Sequence, residues 1–307
     1  MAHTNSSLHV EISSLKLENP TMLAAGVLGV SGLAMNRVAN AGAGAIITKS
    51  MGLEPRRGFP NPVVAQVQGG ILNAMGLPNP GIRQLAEEIQ KIERKTVPII
   101  VSIYASTPED FAAVACEAVK SGAAGVELNV SCPHAETGGA EIGQNPDLVE
   151  QVVKATVRNV NKPVFVKLTP EVTNISEVAK AAENAGAEAI TAINTVKAMV
   201  IDVETAQPIL GNKIGGLSGP AIKPIAVRCV YEIYEAVRIP IIGCGGIVTW
   251  KDAVEMMEAG ASAIQVGTAI AIEGLGVFKR IAQGIQAFME KKGFDGVKEI
   301  VGLSHKE

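Results

Sequence analysis

The sequence predicts a (β/α)8 barrel, on three observations. Eight short apolar runs have the near-continuous character of parallel strands buried on both faces: Met22–Ala25, Ala45–Thr48, Val97–Ile103, Gly125–Val130, Pro163–Leu168, Ala189–Ile193, Ile239–Gly243 and Ser262–Val266. Amphipathic segments separate most of them. The longest stretches without periodicity, Ser50–Gly81, Ser131–Asn145 and Val196–Pro220, all follow strands. Loops that follow strands share one end of a barrel, the end where ligands bind. An open doubly wound sheet is the alternative, but no Gly-x-Gly-x-x-Gly follows the first run.

Taken in order, Val10–Leu17 is expected in a small N-terminal hairpin capping the barrel floor. Helical patterns cover Leu33–Ala41, Ile82–Lys95, Pro108–Ser121, Pro146–Val160, Ser176–Ala185, Ile222–Val237 and Trp250–Ala259. Thr107, Asn145 and Thr249 stand as N-caps, and the first two precede a proline at N1 and an acid in the first turn. One phrase closes four helices: Asn40-Ala41-Gly42-Ala43, Ser121-Gly122-Ala123, Asn184-Ala185-Gly186-Ala187 and Glu258-Ala259-Gly260-Ala261. Its glycine takes the positive φ that turns the chain into the next strand. No linker rich in Pro, Gly or Ser interrupts the pattern, so residues 1–307 read as a single domain with inserted βα loops.

Hydrophobic residues make up 47% of the chain and charged residues 19%, which excludes intrinsic disorder. Aromatics are only 3%, so the core is built from Ala, Val, Ile, Leu and Met. A net charge of −3 offers no basic face and argues against a nucleic-acid partner. Cys116, Cys132, Cys229 and Cys244 match no zinc spacing and read as reduced thiols of a cytoplasmic protein. The histidines are scattered, so no metal site is expected. No apolar stretch reaches membrane-spanning length, and Met1–Glu11 lacks the layout of a signal peptide.

The candidate chemistry gathers at strand ends. The seventh run leads into Gly243-Cys244-Gly245-Gly246-Ile247 and the eighth into Gly267-Thr268, where glycines let backbone N–H groups approach a phosphate. Lys49 ends the second run and Lys167 lies within the fifth. A lysine in a buried run needs either a barrel ion pair or an anionic ligand or reduced cofactor to face. Asn73, Asn129 and Asn194, the last followed by Thr195, sit at strand ends or in the loops beyond, and amides suit an imide–carboxylate ring. Cys132 delivers a thiol to the mouth of the loop after the fourth run; alone, such a thiol is more often inert than reactive. His134 makes a poor hydrolase partner for it, because Pro133 intervenes and no orienting acid is near in sequence.

Together these segments resemble dihydroorotate dehydrogenases, over about residues 5 to 302. The resemblance rests on Asn19-Pro20, Thr48-Lys49-Ser50, Gly52-Leu53-Glu54-Pro55-Arg56 and Asn73-Ala74-Met75-Gly76-Leu77-Pro78-Asn79-Pro80-Gly81. It continues through Asn129-Val130-Ser131-Cys132-Pro133, Lys167-Leu168-Thr169-Pro170, Ile193-Asn194-Thr195, Gly215-Gly216-Leu217-Ser218-Gly219, Gly245-Gly246 and Gly267-Thr268. The Asn-Ala-Met-Gly-Leu and Asn-Val-Ser-Cys-Pro segments are the most specific, and they point to the catalytic subunit of the NAD-linked heteromeric class.

The resemblance implies an FMN enzyme oxidising dihydroorotate to orotate in pyrimidine biosynthesis, with Cys132 as catalytic base and Lys167 beside the flavin. It implies flavin contacts at Ala25, Lys49, Ser50, Asn129, Lys167, Ile193, Gly219, Gly245, Gly246, Gly267 and Thr268. It implies substrate contacts at Lys49, Asn73, Ala74, Met75, Gly76, Leu77, Asn129, Asn194 and Thr195. The implied assembly is a dimer of this chain joined to an electron-transfer subunit carrying FAD and a [2Fe-2S] cluster, a heterotetramer without membrane attachment. Pro133 and the glycines Gly138, Gly139 and Gly143 suit a loop that closes as a lid. Two departures stand out. Ala25 replaces a serine common in the family, and Ser102-Ile103-Tyr104 lacks a flavin-contacting asparagine, which leaves Ser102 or Tyr104 as a substitute or the contact absent. The rival readings are the fumarate-coupled homodimeric class, a dihydropyrimidine dehydrogenase-like enzyme and a non-catalytic flavin-binding scaffold.

Overall fold

In the computed structural model, which describes residues 7–93, 97–130 and 139–306, eight parallel strands close into a barrel. They are β1 (Thr21–Leu23), β2 (Ala45–Ile47), β3 (Ile99–Ile103), β4 (Gly125–Asn129), β5 (Val164–Leu168), β6 (Ala189–Ala192), β7 (Ile241–Cys244) and β8 (Ala261–Val266). Each strand pairs with its neighbours in sequence, and β8 pairs with β1 to close the ring. All eight expected runs contain a strand, with ends that agree to within two residues. Their residues are buried on both faces, as a sheet sandwiched between a filled interior and a ring of helices requires.

Local chemistry sets the helix limits. Thr107 Oγ1 accepts from the Asp110 N–H at 3.1 Å, and Asn145 Oδ1 accepts from the Asp147 N–H at 2.9 Å. Thr249 and Asp252 form a reciprocal capping box at the start of Trp250–Glu258. The four closing glycines Gly42, Gly122, Gly186 and Gly260 have φ of 96°, 95°, 100° and 124°, as the recurring phrase requires. The N-terminal hairpin is also present. Val10–Ile12 pairs antiparallel with Leu15–Leu17, burying Val10, Ile12, Leu15 and Leu17, and Leu15 lies against Gly125 at the start of β4.

Three features differ from the expectation. Segments Ser50–Gly81 and Val196–Pro220 are not structureless. They supply a four-stranded antiparallel sheet in the order Val196–Ala198, Gly215–Ser218, Gly70–Asn73, Val64–Val67. The two central strands carry glycines and are partly buried on both faces, so no strand periodicity appears in them. A separate small core of Leu72, Ala74 and Leu210 holds the sheet. The stretch after β4 includes a short helix, Gly139–Gln144, with Ile142 buried in the main core. After β8 come Ala269–Glu273 and Val277–Lys292. The second buries Val277, Phe278, Ile281, Ile285 and Met289, a helical spacing the sequence displays but the expected element order omitted.

Candidate active site

A cavity of about 540 Å3 opens at the C-terminal ends of the barrel strands. It is lined by Ala25, Lys49, Ser50, Asn129, Lys167, Ile193, Gly219, Gly245, Gly246, Gly267 and Thr268, and by Asn73, Ala74, Met75, Gly76, Leu77, Asn194 and Thr195. Every flavin and substrate contact that the resemblance implied is therefore on one surface. Cys132 lies outside the described residues, as do Ser131, Pro133, His134 and Gly138 of the suggested lid.

The floor of the cavity is polar. Side chains alternate along each strand, and the register turns Glu127, Lys167, Thr191, Cys244 and Gln265 into the barrel. Lys167 Nζ donates to Gln265 Oε1 at 2.8 Å, and Gln265 Nε2 donates to Glu127 Oε2 at 2.6 Å. Thr191 Oγ1 donates to the same Glu127 oxygen at 2.9 Å. Lys167 also lies 3.7 Å from Cys244 Sγ. Burial pulls the Lys167 ammonium down, but Cys244 and Glu127 more than offset it, and its pKa ends above the ordinary lysine value. Burial pushes the Cys244 thiol up, against the pull of Lys167, which makes it a poor nucleophile. Lys167 forms no direct ion pair among the described residues; it reaches the Glu127 carboxylate through the Gln265 amide, and it lines the cavity.

A second chain of hydrogen bonds crosses the rim. Ser102 Oγ and Ser50 Oγ lie 2.9 Å apart, Asn129 Nδ2 donates to Ser50 Oγ at 3.1 Å, and Asn194 Nδ2 donates to Asn129 Oδ1 at 3.3 Å. Ser102 thus stands behind Ser50, and Tyr104 accepts from Asn79 Nδ2 at 3.0 Å. Neither Ser102 nor Tyr104 is among the lining residues. Lys49 contrasts with Lys167. Its ammonium has no hydrogen-bond or ion-pair partner among the described residues, and burial lowers its pKa.

The pole at β7 and β8 is built from backbone. Gly245 and Gly246 have φ of 132° and 73°. A Cβ on Gly245 would sit 2.8 Å from the Ala226 methyl, and one on Gly246 would sit 2.8 Å from the Lys223 backbone. Only glycine fits there. The N–H groups of Gly245, Gly246, Gly267 and Thr268 donate to no acceptor among the described residues. Thr268 Oγ1 donates to Ser218 Oγ at 2.8 Å, tying this pole to the inserted sheet. That sheet forms one wall, where Val64, Ile71, Asn73, Gly216 and Ser218 face the cavity and Asn73 Nδ2 donates to the Gly216 carbonyl at 3.1 Å.

Sequence reasoning passed over Glu127, Gln265 and Cys244. The signal for the first two was the one that marked Lys167, a polar residue inside a buried strand. Among the described residues no helix is long and apolar enough to cross a membrane, and no three His, Cys, Asp or Glu side chains cluster to hold a metal ion.

Known proteins resemble this chain in sequence and fold. A Methanosarcina mazei protein named dihydroorotate dehydrogenase B (NAD(+)), catalytic subunit, is 51% identical over 98% of this chain and 96% of its own length. A Pyrococcus abyssi protein of the same name is 50% identical over 97% of this chain and 99% of its own. The crystal structure of an Eimeria tenella DHODH in complex with ferulenol superposes with a TM-score of 0.84 at 23% identity, covering 98% of this chain and 89% of that one, a likeness of fold. The family model for dihydroorotate dehydrogenase matches residues 7–289, a span that runs from the N-terminal hairpin past the glycine pole, and the chain belongs to that family.

Proposed function

We propose that this chain is the catalytic subunit of an NAD-linked dihydroorotate dehydrogenase, oxidising dihydroorotate to orotate in pyrimidine biosynthesis with FMN as its cofactor. The observation that carries the reading is one cavity with two chemically distinct poles, glycine N–H groups at β7 and β8 and amides with Lys49 at β2, β4 and β6. The glycine pole fits the phosphate of FMN, because unengaged N–H groups and a hydroxyl can surround an anion there. The amide pole fits the carboxylate and ring amides of dihydroorotate, with Lys49 opposite the carboxylate and Asn73, Asn129 and Asn194 offering donors and acceptors. FMN supplies the hydride acceptor for C6 of the substrate when bound. Lys167 places a fixed positive charge at the cavity floor, where negative charge gathers as the cofactor is reduced.

Cys132 follows β4 by three residues and is assigned the base that takes the proton from C5. The assignment rests on its place in the Asn-Val-Ser-Cys-Pro segment. A thiol acts as a base only when ionised, so turnover is expected to rise with pH through the thiol pKa. The proposed complex is cytoplasmic and pairs a dimer of this chain with subunits that carry FAD and a [2Fe-2S] cluster and pass electrons to NAD. The names of the relatives, which specify NAD(+) and a catalytic subunit, support that assembly.

The test is anaerobic addition of dihydroorotate to the purified protein. Bleaching of the flavin absorbance is expected. A yellow protein bleached by dihydrouracil and not by dihydroorotate would overturn the reading. Cys132→Ala is expected to retain the flavin spectrum and lose several orders of magnitude in turnover; a rate like that of the unaltered enzyme would place the base elsewhere. Iron–sulfur bands in the complex as purified test the partner.

A further inference from the structure

Glu127 is the one charged side chain of the barrel floor that the proposed reaction does not use. It is fully buried, does not line the cavity, and lies one layer below Lys167. Among the described residues, its two hydrogen bonds, from Gln265 and Thr191, arrive at Oε2, and Oε1 has no partner. A buried carboxylate with one bare oxygen is expensive. An apolar or amide side chain of similar size is often no worse at a buried ionic position, so its presence calls for a role beyond packing. Among the described residues, the cation its hydrogen-bond network reaches is Lys167, through the Gln265 amide.

We propose that Glu127 is a positioning residue: acting through Gln265, it holds Lys167 charged and fixed at the floor of the cavity, so that the cofactor meets a permanent cation there. This rests on the FMN reading above. The geometry supports the direction of action. Gln265 uses its carbonyl for Lys167 and its amide for Glu127, so the amide dipole is oriented by both charges and aligns with each. Lys167 is 5% exposed, and desolvation alone would favour its neutral form. Its ammonium meets Gln265 on β8 and Cys244 on β7 and reaches Glu127 on β4 through Gln265, while Thr191 on β6 bonds Glu127. Cys244 and Glu127 are the two groups that offset the burial of Lys167, and of the two only Glu127 is joined to it through the Gln265 amide. Lys49, the other charge on the cavity surface, is a cation and opposes it.

The test is the midpoint potential of the FMN-loaded chain, measured by equilibration with phenosafranine, for the unaltered protein and for Glu127→Gln. Glutamine keeps the shape and the hydrogen bonds to Gln265 and Thr191 and removes only the charge. At pH 8 to 9 the variant is expected to shift the dye equilibrium at least tenfold toward oxidised flavin, about 30 mV for a two-electron couple. The gap narrows as the pH falls and Lys167 regains its proton. Gln265→Met, which keeps both charges but removes the amide between them, is expected to move the potential the same way by less, and it carries the test if Glu127→Gln does not fold. A yellow variant with unchanged potential at every pH overturns the inference and leaves Glu127 a packing residue. A potential raised at every pH also overturns it, since Glu127 would then only damp the field of a lysine that stays charged unaided. An unaltered protein that takes up no FMN sinks the function reading itself, and this inference with it.

Discussion

Lys167 stands on a closed barrel, where every strand is hydrogen-bonded along both edges and the core runs continuously into the surrounding helices. The opposite wall of the same cavity is the inserted sheet, which ends at two edges and rests on three fully buried side chains, Leu72, Ala74 and Leu210. On its outer strand, Val64 is 50% exposed. The floor is thus set before any ligand arrives, and the wall is the part with least to hold it. Elements with few buried contacts open at low free energy, and cavity-lining segments are commonly of this kind. The difference teaches where rigidity and mobility have been placed: a fixed cation at the cavity floor and a loosely seated wall across from it.

The largest expected effect breaks the floor. Lys167→Met removes the cation and leaves Glu127 as a buried, uncompensated charge. Breaking a buried charge network from one side costs about 3–5 kcal/mol. Urea unfolding of the ligand-free protein should show that loss, alongside weakened FMN retention. An unchanged urea midpoint would mean that the floor tolerates an isolated carboxylate and is not rigidly set by charge.

The wall is broken next. Leu72→Ala removes a fully buried side chain from a core of three. Leu→Ala costs about 2–5 kcal/mol in a core that cannot collapse. Here the loss should stay local, raising the KM for dihydroorotate and exposing residues 60–75 and 200–215 to limited proteolysis, with little change in the unfolding of the barrel. Leu128→Ala, in β4, should instead lower the global transition. If both variants shift the global transition equally, sheet and barrel unfold as one unit and the contrast fails.

The same contrast explains what was legible in the sequence. Barrel strands are short apolar runs, and their caps and closing glycines are local signals, so all eight strands and the three N-caps Thr107, Asn145 and Thr249 could be read from neighbouring residues. The wall could not. Gly216 pairs with Asn73 across more than a hundred intervening residues, and glycine-bearing, half-buried strands carry no period. The cavity residues were legible through motifs, with Cys132 beyond the described structure. Glu127 and Gln265 were missed for a related reason. Each is one polar residue in an apolar strand, and they acquire meaning only when closure of the ring brings β4, β5 and β8 around one point.

The smallest effect compares the two lysines directly. Burial lowers the pKa of Lys49 from 10.5, whereas that of Lys167 lies above 10.5. The signs of their linkage to stability are therefore opposite. Lys167 contributes stability that is fully present below pH 10.5 and is lost as the pH rises through its folded pKa. Lys49 carries a desolvation cost that is fully present below its lowered folded pKa and is relieved as the pH rises from there toward 10.5. Lys49→Met in the ligand-free protein should match or exceed the unaltered chain in stability at pH 7 to 8, with the margin vanishing near pH 10.5. The gain comes with a loss in binding. A hydrogen bond to a charged group is worth about 1.5–3 kcal/mol, so the Kd for orotate should rise roughly ten- to a hundredfold. Parallel losses of stability and orotate affinity at pH 7 would show that Lys49, like Lys167, is already paired within the protein. An unpaired Lys49 is a charge the fold bears at a cost until an anionic ligand neutralises it.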